Sequence, residues 1–509
     1  MILKCTNDIR FNKEIHFFGS FAHPHCKCMS ARVPGPVVDI PQANNYVPRH
    51  AFTSLKVCTL NSRFFREEIE TLPRSDLDAL IDERVKYTVS YANEHSPFYR
   101  TWFREHKINP KSIREHEDLQ ELPIISGSDV RVNQPPNRPD YGFLSASPQD
   151  IYTIHETSGT SGVPKSFFLC WEEWERLAEK YARIFTSQGF TRGDRMVICA
   201  SYGMNVGANT MTLAARDLGI TVVPYGKCTF PLRVITNYRP TGIVGSVFKL
   251  IRLARQMEAE GLNPKESGVT KLIAGGEAFA DESRAYLAEL WGCDVYNTYG
   301  STEGSMCGEC TAKQGLHVPE DLVHMDLYDP QLKEFVKEGE CGRIVLTTLL
   351  PVGAKCGMLL INYDTDDTTV VTSRDKCACG RTHMRIYTPQ REAETFWAHG
   401  TPMNRVDIER GVFQRENMEY LTGEYEAFLY AGDDQEKTLL RVSVECKDLT
   451  SCDREGVSER FMQSFYSWKK ALRQKQEENL FGIEINFVPP KGLELSRLPG
   501  RPKRFVDRR

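Results

Sequence analysis

Between residues 171 and 300 the apolar positions switch regularly between two periods. Trp174, Leu177, Ala178, Tyr181 and Phe185 recur at helical spacing, and Gly189 stands where that helix would stop. RMVICAS, from Arg195, then reads as a buried strand. A helical stretch ends near Gly219, and ITVVP from Ile220 is the next strand. GIVGS from Gly242, KLIA from Lys271 and DVYN from Asp294 repeat the theme, with helical segments between them. Strands alternating with helices predict βαβ units and a mainly parallel sheet, which binds ligands beyond the carboxyl ends of its strands. After about residue 390 the pattern changes. EYEAFLYA from Glu424, LLRVSVE from Leu439 and IEINFV from Ile483 read as strands, and roughly 454–476 reads as a charged helix. That is a small α+β domain. The first 60 residues show no clear periodicity.

Length and composition narrow the class. A chain of 509 residues exceeds one compact core and predicts two to four domains. Hydrophobic content of 40% and charged content of 26% are ordinary for a soluble protein. A net charge of −4 gives no electrostatic case for nucleic acid, which needs a basic face. No apolar run approaches the roughly 18 residues that cross a bilayer. The N-terminus lacks the apolar stretch of a secretory signal, so the expected location is the cytoplasm, with no membrane partner. Sixteen cysteines in such a chain predict reduced, mostly buried thiols, a few of which bind metal. Near the N-terminus, Cys26 and Cys28 form a C-x-C with no partner pair nearby, and residues 1–60 are expected to be an extension of unknown role.

Four short segments carry candidate chemistry. TSGTSGVPKS, Thr157 to Ser166, packs small hydroxyls and glycines into a run ending in lysine. Glycine lets backbone N–H groups approach a phosphate, hydroxyls add donors and lysine adds charge. Pro164 stands where a P-loop would have its second glycine, so the segment is not of that type. YGSTEGS, Tyr299 to Ser305, follows the strand DVYN and places Thr302 and Glu303 at the carboxyl end of the sheet. Threonine can bond a phosphate oxygen and glutamate can hold magnesium. AGGEAF, Ala274 to Phe279, follows another strand, and its glycines permit a flat base to lie against backbone. INYDTDDT, Ile361 to Thr368, offers aspartates that could accept from ribose hydroxyls.

In this order the four segments resemble the adenylate-forming superfamily, in its phenylacetate–CoA ligase branch. The resemblance covers about residues 65 to 509, and SPFYRTWF (Ser96 to Phe103) and GLHVPED (Gly315 to Asp321) are similar to further elements of that branch. It implies a large α/β AMP-binding domain over residues 61–390, a small mobile C-terminal domain over 391–509, and AMP and pyrophosphate as products. By position, Ser158, Gly159, Thr160, Ser161, Gly162 and Lys165 would hold the ATP phosphates. Gly276, Glu277, Tyr299 and Gly300 would surround adenine, and Asp367 and Arg391 would hold the ribose. Thr302 would touch the α-phosphate and Glu303 would bind magnesium, while Tyr202 and Gly203 would line the acid pocket. The branch also implies a structural zinc on Cys310, His317, Cys377 and Cys379, with Cys307 and His383 as substitutes.

Three departures from the family bear on activity. Its tyrosine–arginine–threonine–glycine–aspartate core reads Tyr363, Asp364, Thr365, Asp366, Asp367 here, which adds negative charge near a phosphate site. The hinge reads Gln390, Arg391, Glu392, Ala393, Glu394, keeping the arginine. At the C-terminus, LPGRPKRF puts Arg501 in the register of the family's mobile lysine, with Lys503 two residues on. The expected activity is adenylation of a small, aromatic carboxylic acid and transfer of the acyl group to coenzyme A. Two alternatives stand beside it: an adenylyltransferase resembling factor-390 synthetases, which moves AMP onto the phenolic hydroxyl of a deazaflavin, and a nucleotide-binding homologue without chemistry. The assembly is open, a homodimer being one option.

Overall fold

The computed structural model describes residues 63–157, 162–226, 230–432, 436–494 and 503–509, all within one compact unit. The N-terminal extension, Ser158 to Ser161 and Arg501 lie outside the described residues.

The predicted alternation is present. The helix Trp171–Ser187 leads to the strand Arg195–Ile198, and the helix Gly207–Leu218 ends at Gly219 before the strand Thr221–Val223. Strands Gly242–Gly245, Lys271–Gly275 and Asp294–Gly300 follow, separated by helices Val247–Ala259 and Asp281–Trp291. These five strands pair in parallel. The middle residues of the four inner strands are buried, because helices cover both faces, whereas the edge strand Thr221–Val223 is only half-buried. The parallel expectation applies to this part alone. Asp294–Gly300 turns back onto Met306–Glu309, and the same sheet continues antiparallel through Leu316–His317, Arg385–Ile386, Tyr363–Ser373, Cys341–Thr348 and Val323–Asp329. Two of the candidate segments are therefore partly strand: Tyr299 and Gly300 end one, and Tyr363 to Asp367 begin another.

The C-terminal lobe has a four-stranded sheet in the order Phe481–Val488, Thr438–Cys446, Leu421–Ala431, Phe505–Asp507. The charged helix expected over 454–476 is two helices, Arg454–Trp468 and Lys470–Glu477, broken at Lys469. One apolar cluster runs through both lobes, from Val197, Ile243 and Phe248 to Phe413, Tyr425 and Phe505. The Phe248 ring lies 5.9 Å from that of Tyr425 and 6.3 Å from that of Phe413. Among the described residues, no helix is long and apolar enough to cross a membrane.

Candidate active site

A cavity of 330 Å³ opens where the carboxyl ends of the strands Lys271–Gly275 and Asp294–Gly300 face the C-terminal lobe. That is within the range of a small-ligand pocket. Gly276, Glu277, Tyr299, Gly300 and Ser301 form one wall, Asp367 and Thr388 to Arg391 a second, and Asn404, Arg405 and Lys503 the third.

Two adjacent glycines shape the first wall for different reasons. A Cβ on Gly275 would meet Thr298 Cγ2 at 2.6 Å and the Thr298 carbonyl oxygen at 2.9 Å, so the neighbouring strand requires glycine there. Gly276 has φ +80°, and a Cβ there would meet nothing within 4 Å, so the backbone lies open to the cleft. Glu277 borders the cleft, and its carboxylate is also tied to the C-terminal part of the chain. Its carboxylate accepts from Arg405 Nη1 at 2.6 Å, a residue of the helix Arg405–Val412 that joins the C-terminal lobe to this wall. The buried Glu409 of that helix accepts from the Ala280 amide (3.1 Å), Ser283 Oγ (3.0 Å) and the Tyr425 hydroxyl (3.2 Å), and burial pushes its carboxyl up.

Tyr299, Asp367 and Arg391 come together. The Tyr299 hydroxyl donates to Asp367 Oδ2 at 2.6 Å, and Arg391 Nε stands 3.7 Å from Asp367 Oδ1. Asp367 and Arg391 are direct partners across adjacent strands. Burial raises the Asp367 carboxyl, against the stabilising Tyr299 bond and Arg391 charge. Burial, the Asp367 charge and the bond to Asp367 hold the Tyr299 phenol far above its ordinary range.

The phosphate-loop lysine meets the magnesium candidate directly. Lys165 Nζ donates to Glu303 Oε1 at 2.7 Å and also to the Tyr363 hydroxyl, with its ring centroid 5.1 Å away. The loop is closed at its base by two bonds, the Thr157 amide to the Lys165 carbonyl and the Lys165 amide to Thr157 Oγ1, each 3.0 Å. Gly162, at φ +129°, is the described part of its tip. Thr302 and Glu303 line an adjacent cavity of 60 Å³ rather than the larger cleft. Lys180, beneath them, donates to the Gly304 carbonyl at 2.8 Å, and burial lowers its ammonium to about 8.

Tyr202 and Gly203 lie beyond the end of the strand Arg195–Ile198, but neither lines the cleft; the Tyr202 hydroxyl bonds Thr212 Oγ1 at 3.0 Å. The extra acids of the aspartate-rich segment are met by Arg343, a residue without a sequence signal. It donates to Asp364 Oδ2 at 2.8 Å, stands 3.9 Å from Asp366 and pairs with Glu392 of the hinge segment. Asp366 takes the position of the family glycine at φ +61°, a conformation that aspartate tolerates better than most residues.

Away from the cleft, one nitrogen or sulfur atom from each of Cys310, His317, Cys377 and Cys379 lies within 4.8 Å of the others. Cys310 and Cys377 sulfurs are 3.8 Å apart, and Cys379 Sγ is 3.5 Å from His317 Nε2. Neither substitute joins them: the His383 ring is engaged by the Glu320 amide and the Ile69 carbonyl, and Cys307 is outside the group.

A cleft at the strand ends bordered by Gly276, Tyr299, Asp367 and Arg391, with the Lys165–Glu303 pair in the adjoining region, is where an open α/β sheet binds its ligand. The family model for AMP-binding enzymes matches residues 74–349. The phenylacetate-coenzyme A ligase of Thermus thermophilus is 32% identical over 328 residues, covering 63% of this chain and 72% of that protein. The enzyme of the same name from Pseudomonas putida is 25% identical over 406 residues, covering 77% and 88%. Among solved structures, 2-hydroxyisobutyryl-CoA ligase in the postadenylation state, in complex with its acyl-AMP, has a TM-score of 0.74 at 22% identity, covering 88% of this chain and 93% of that one. The same ligase in the thioesterification state has a TM-score of 0.60. The chain belongs to the AMP-binding enzymes, in the phenylacetate–CoA ligase-like branch of the adenylate-forming superfamily. It is an ATP-dependent, AMP-forming CoA ligase.

Proposed function

We propose that the enzyme adenylates a small aromatic carboxylic acid of the phenylacetate type and passes the acyl group to coenzyme A. The observation that supports this most is the inter-lobe cleft, where Gly276, Tyr299, Asp367, Arg391 and Lys503 share one space. The aromatic class rests on the names of the relatives. Adenine lies against the open backbone of Gly276 beside Tyr299, and Asp367 with Arg391 takes the ribose hydroxyls. A substrate carboxylate oxygen bonds the α-phosphorus while the bond to the bridging oxygen of pyrophosphate breaks, which leaves the acyl-adenylate. The thiolate of coenzyme A then bonds the acyl carbon and AMP leaves.

Negative charge grows on the phosphates in the first step, and Lys165 and Lys503 are the described cations placed to offset it. The loop residues Ser158 to Ser161 and Gly162 supply further donors, and Thr302 bonds the α-phosphate. The Glu303 carboxylate, already paired with a cation, fits a magnesium ligand; magnesium neutralises phosphate charge when bound. The four-residue cysteine and histidine group fits a structural zinc. Ligands about 2.0–2.3 Å from a tetrahedral ion lie roughly 3.3–3.8 Å from each other, which matches the contacts present.

The test is pyrophosphate release from ATP across a panel of carboxylic acids, with and without coenzyme A. The expected result is acid-dependent release, strongest with arylacetates, and thioester only when coenzyme A is present. Transfer of AMP to a deazaflavin without any acid would replace this reading with the factor-390-type alternative. No release with any acceptor would leave a binding homologue.

A further inference from the structure

The C-terminal tail reaches the cleft by a specific route. Lys503 lines the cavity and Phe505 begins the edge strand of the C-terminal lobe, paired in parallel with Ala427. Arg504, between them, also borders the cavity but is largely withdrawn from solvent. It is 8% exposed, and its guanidinium carbon lies 3.5 Å from the Phe248 ring centroid and 5.4 Å from that of Tyr425. Nη1 donates to the Tyr425 carbonyl at 2.9 Å and Nη2 to Glu424 Oε2 at 2.6 Å. Glu424 in turn accepts from Arg252 Nε and Nη2, at 2.6 and 2.8 Å. The Arg504 carbonyl accepts from the Ala427 amide at 2.7 Å, so backbone and side chain are both held.

Phe248 and Arg252 are one turn apart on the helix Val247–Ala259 of the large lobe, whereas Glu424, Tyr425 and Arg504 belong to the small lobe. The guanidinium is thus a plug that exists only while the lobes are docked as here. A planar cation stacked on one ring and hydrogen-bonded at its edge is tightly oriented, and the side chain of the preceding residue is oriented with it.

We propose that Arg504 is a positioning residue for adenylation: seating its guanidinium on Phe248, with Glu424 and Arg252 completing the seat, aims Lys503 at the nucleotide phosphates. When the lobes rotate apart for thioester formation the seat is dismantled and Lys503 is withdrawn. This rests on the proposed role of the cleft as the adenylation site and of Lys503 as its mobile cation.

The test uses the full chain with magnesium and ATP and needs no acid substrate. Acylation of Lys503 Nζ by an amine-reactive reagent is followed by mass spectrometry. ATP should slow labelling of Lys503 at least 5-fold in the unmodified enzyme. In Arg504→Ala that protection should fall below 2-fold, while equilibrium dialysis shows ATP still bound at the concentration used and circular dichroism stays native. Arg504→Lys keeps the charge without the planar fork and should be intermediate, as should Glu424→Gln, and either serves if the alanine variant does not fold. A second readout is a double-mutant cycle on pyrophosphate release with phenylacetate. Arg504→Ala should slow release at least 10-fold alone and less than 2-fold in a Lys503→Ala background. Full ATP protection of Lys503 in Arg504→Ala, or slowing that multiplies in the double variant, overturns the positioning role alone. Absence of ATP protection in the unmodified enzyme overturns the phosphate role of Lys503, and the positioning role with it.

Discussion

At the scale of single residues, the Lys165–Glu303 pair is the contact on which the proposed chemistry turns. Each side chain is about nine-tenths buried, so neither charge is stable there without the other or a ligand. Binding of ATP with magnesium would exchange this internal pair for two external ones, Lys165 to phosphate and Glu303 to the metal. Glu303→Gln should therefore lower kcat about 100-fold, or ~2.7 kcal/mol, with the KM for ATP within a few-fold, because the charge being met rises toward the transition state. Turnover near that of the unmodified enzyme at saturating magnesium would remove Glu303 from this role. The cysteine group behaves differently. Cys377→Ser should lower the bound zinc and the melting temperature together and leave the order of preferred acids unchanged, since a closed four-ligand site does no chemistry. Zinc below a tenth of an equivalent in the unmodified enzyme refutes the site.

Among the elements, the parallel strands place the site and their close spacing constrains it. Gly275 has no room for a methyl group against Thr298, the residue before Tyr299. Gly275→Ala should cost about 1–3 kcal/mol by overpacking, seen as an earlier denaturation midpoint at unchanged slope. A change below 0.5 kcal/mol would show that the strands separate easily. The aspartate-rich strand shows how the extra acids are accommodated: Arg343, from the neighbouring strand, holds Asp364 and Asp366 and reaches Glu392 in the hinge segment. The Asp364 charge is thus neutralised inside the protein, while Asp366 stays largely exposed to solvent. GLHVPED is architectural in the same sense. His317 belongs to the cysteine group, Glu320 accepts from Arg74 at 3.0 Å, and Asp321 is gripped by Arg183 at 2.6 and 3.0 Å and by Arg84.

Asp321 ties the N-terminal helix Arg74–His95 to the body of the molecule, and it is fully buried. Burial opposes its charge, but Arg183 and Arg84 win and hold its carboxyl well below the ordinary range. With the folded value depressed, its stabilisation is present above the unfolded value of about 3.9 and is lost as pH falls below it. Asp321→Asn should cost about 3–5 kcal/mol at pH 7, by leaving two arginines without their counter-charge. The gap to the unmodified enzyme should be level above about pH 5 and narrow steadily below pH 4, as read by denaturation across pH. A gap that widens on acidification contradicts the ion-pair account. The two lobes are joined by apolar packing at Phe248 and by charged contacts at Glu277–Arg405 and Arg252–Glu424. Charged contacts of this kind exchange for water more readily than apolar packing does, so they would permit the domain rotation that the proposed mechanism calls for.

The alternating strands and helices, the lysine-ended loop and the Thr–Glu turn were legible along the chain because each is a local pattern, whereas the four metal candidates, split between Cys310–His317 and Cys377–Cys379, were legible only through the family resemblance. Period and turn chemistry act over a few residues, and the family's motifs keep their spacing. The same local reading stops where partners are distant. That Glu277 turns to Arg405, that Arg343 meets the extra acids and that His383 is held by backbone depend on which elements dock, and docking is settled by burial over the whole core. The C-terminal register shows the limit most directly. Spacing puts Arg501, which lies outside the described residues, in the register of the family lysine; only the fold shows that Lys503 borders the cleft and that Arg504 beside it packs on the Phe248 ring.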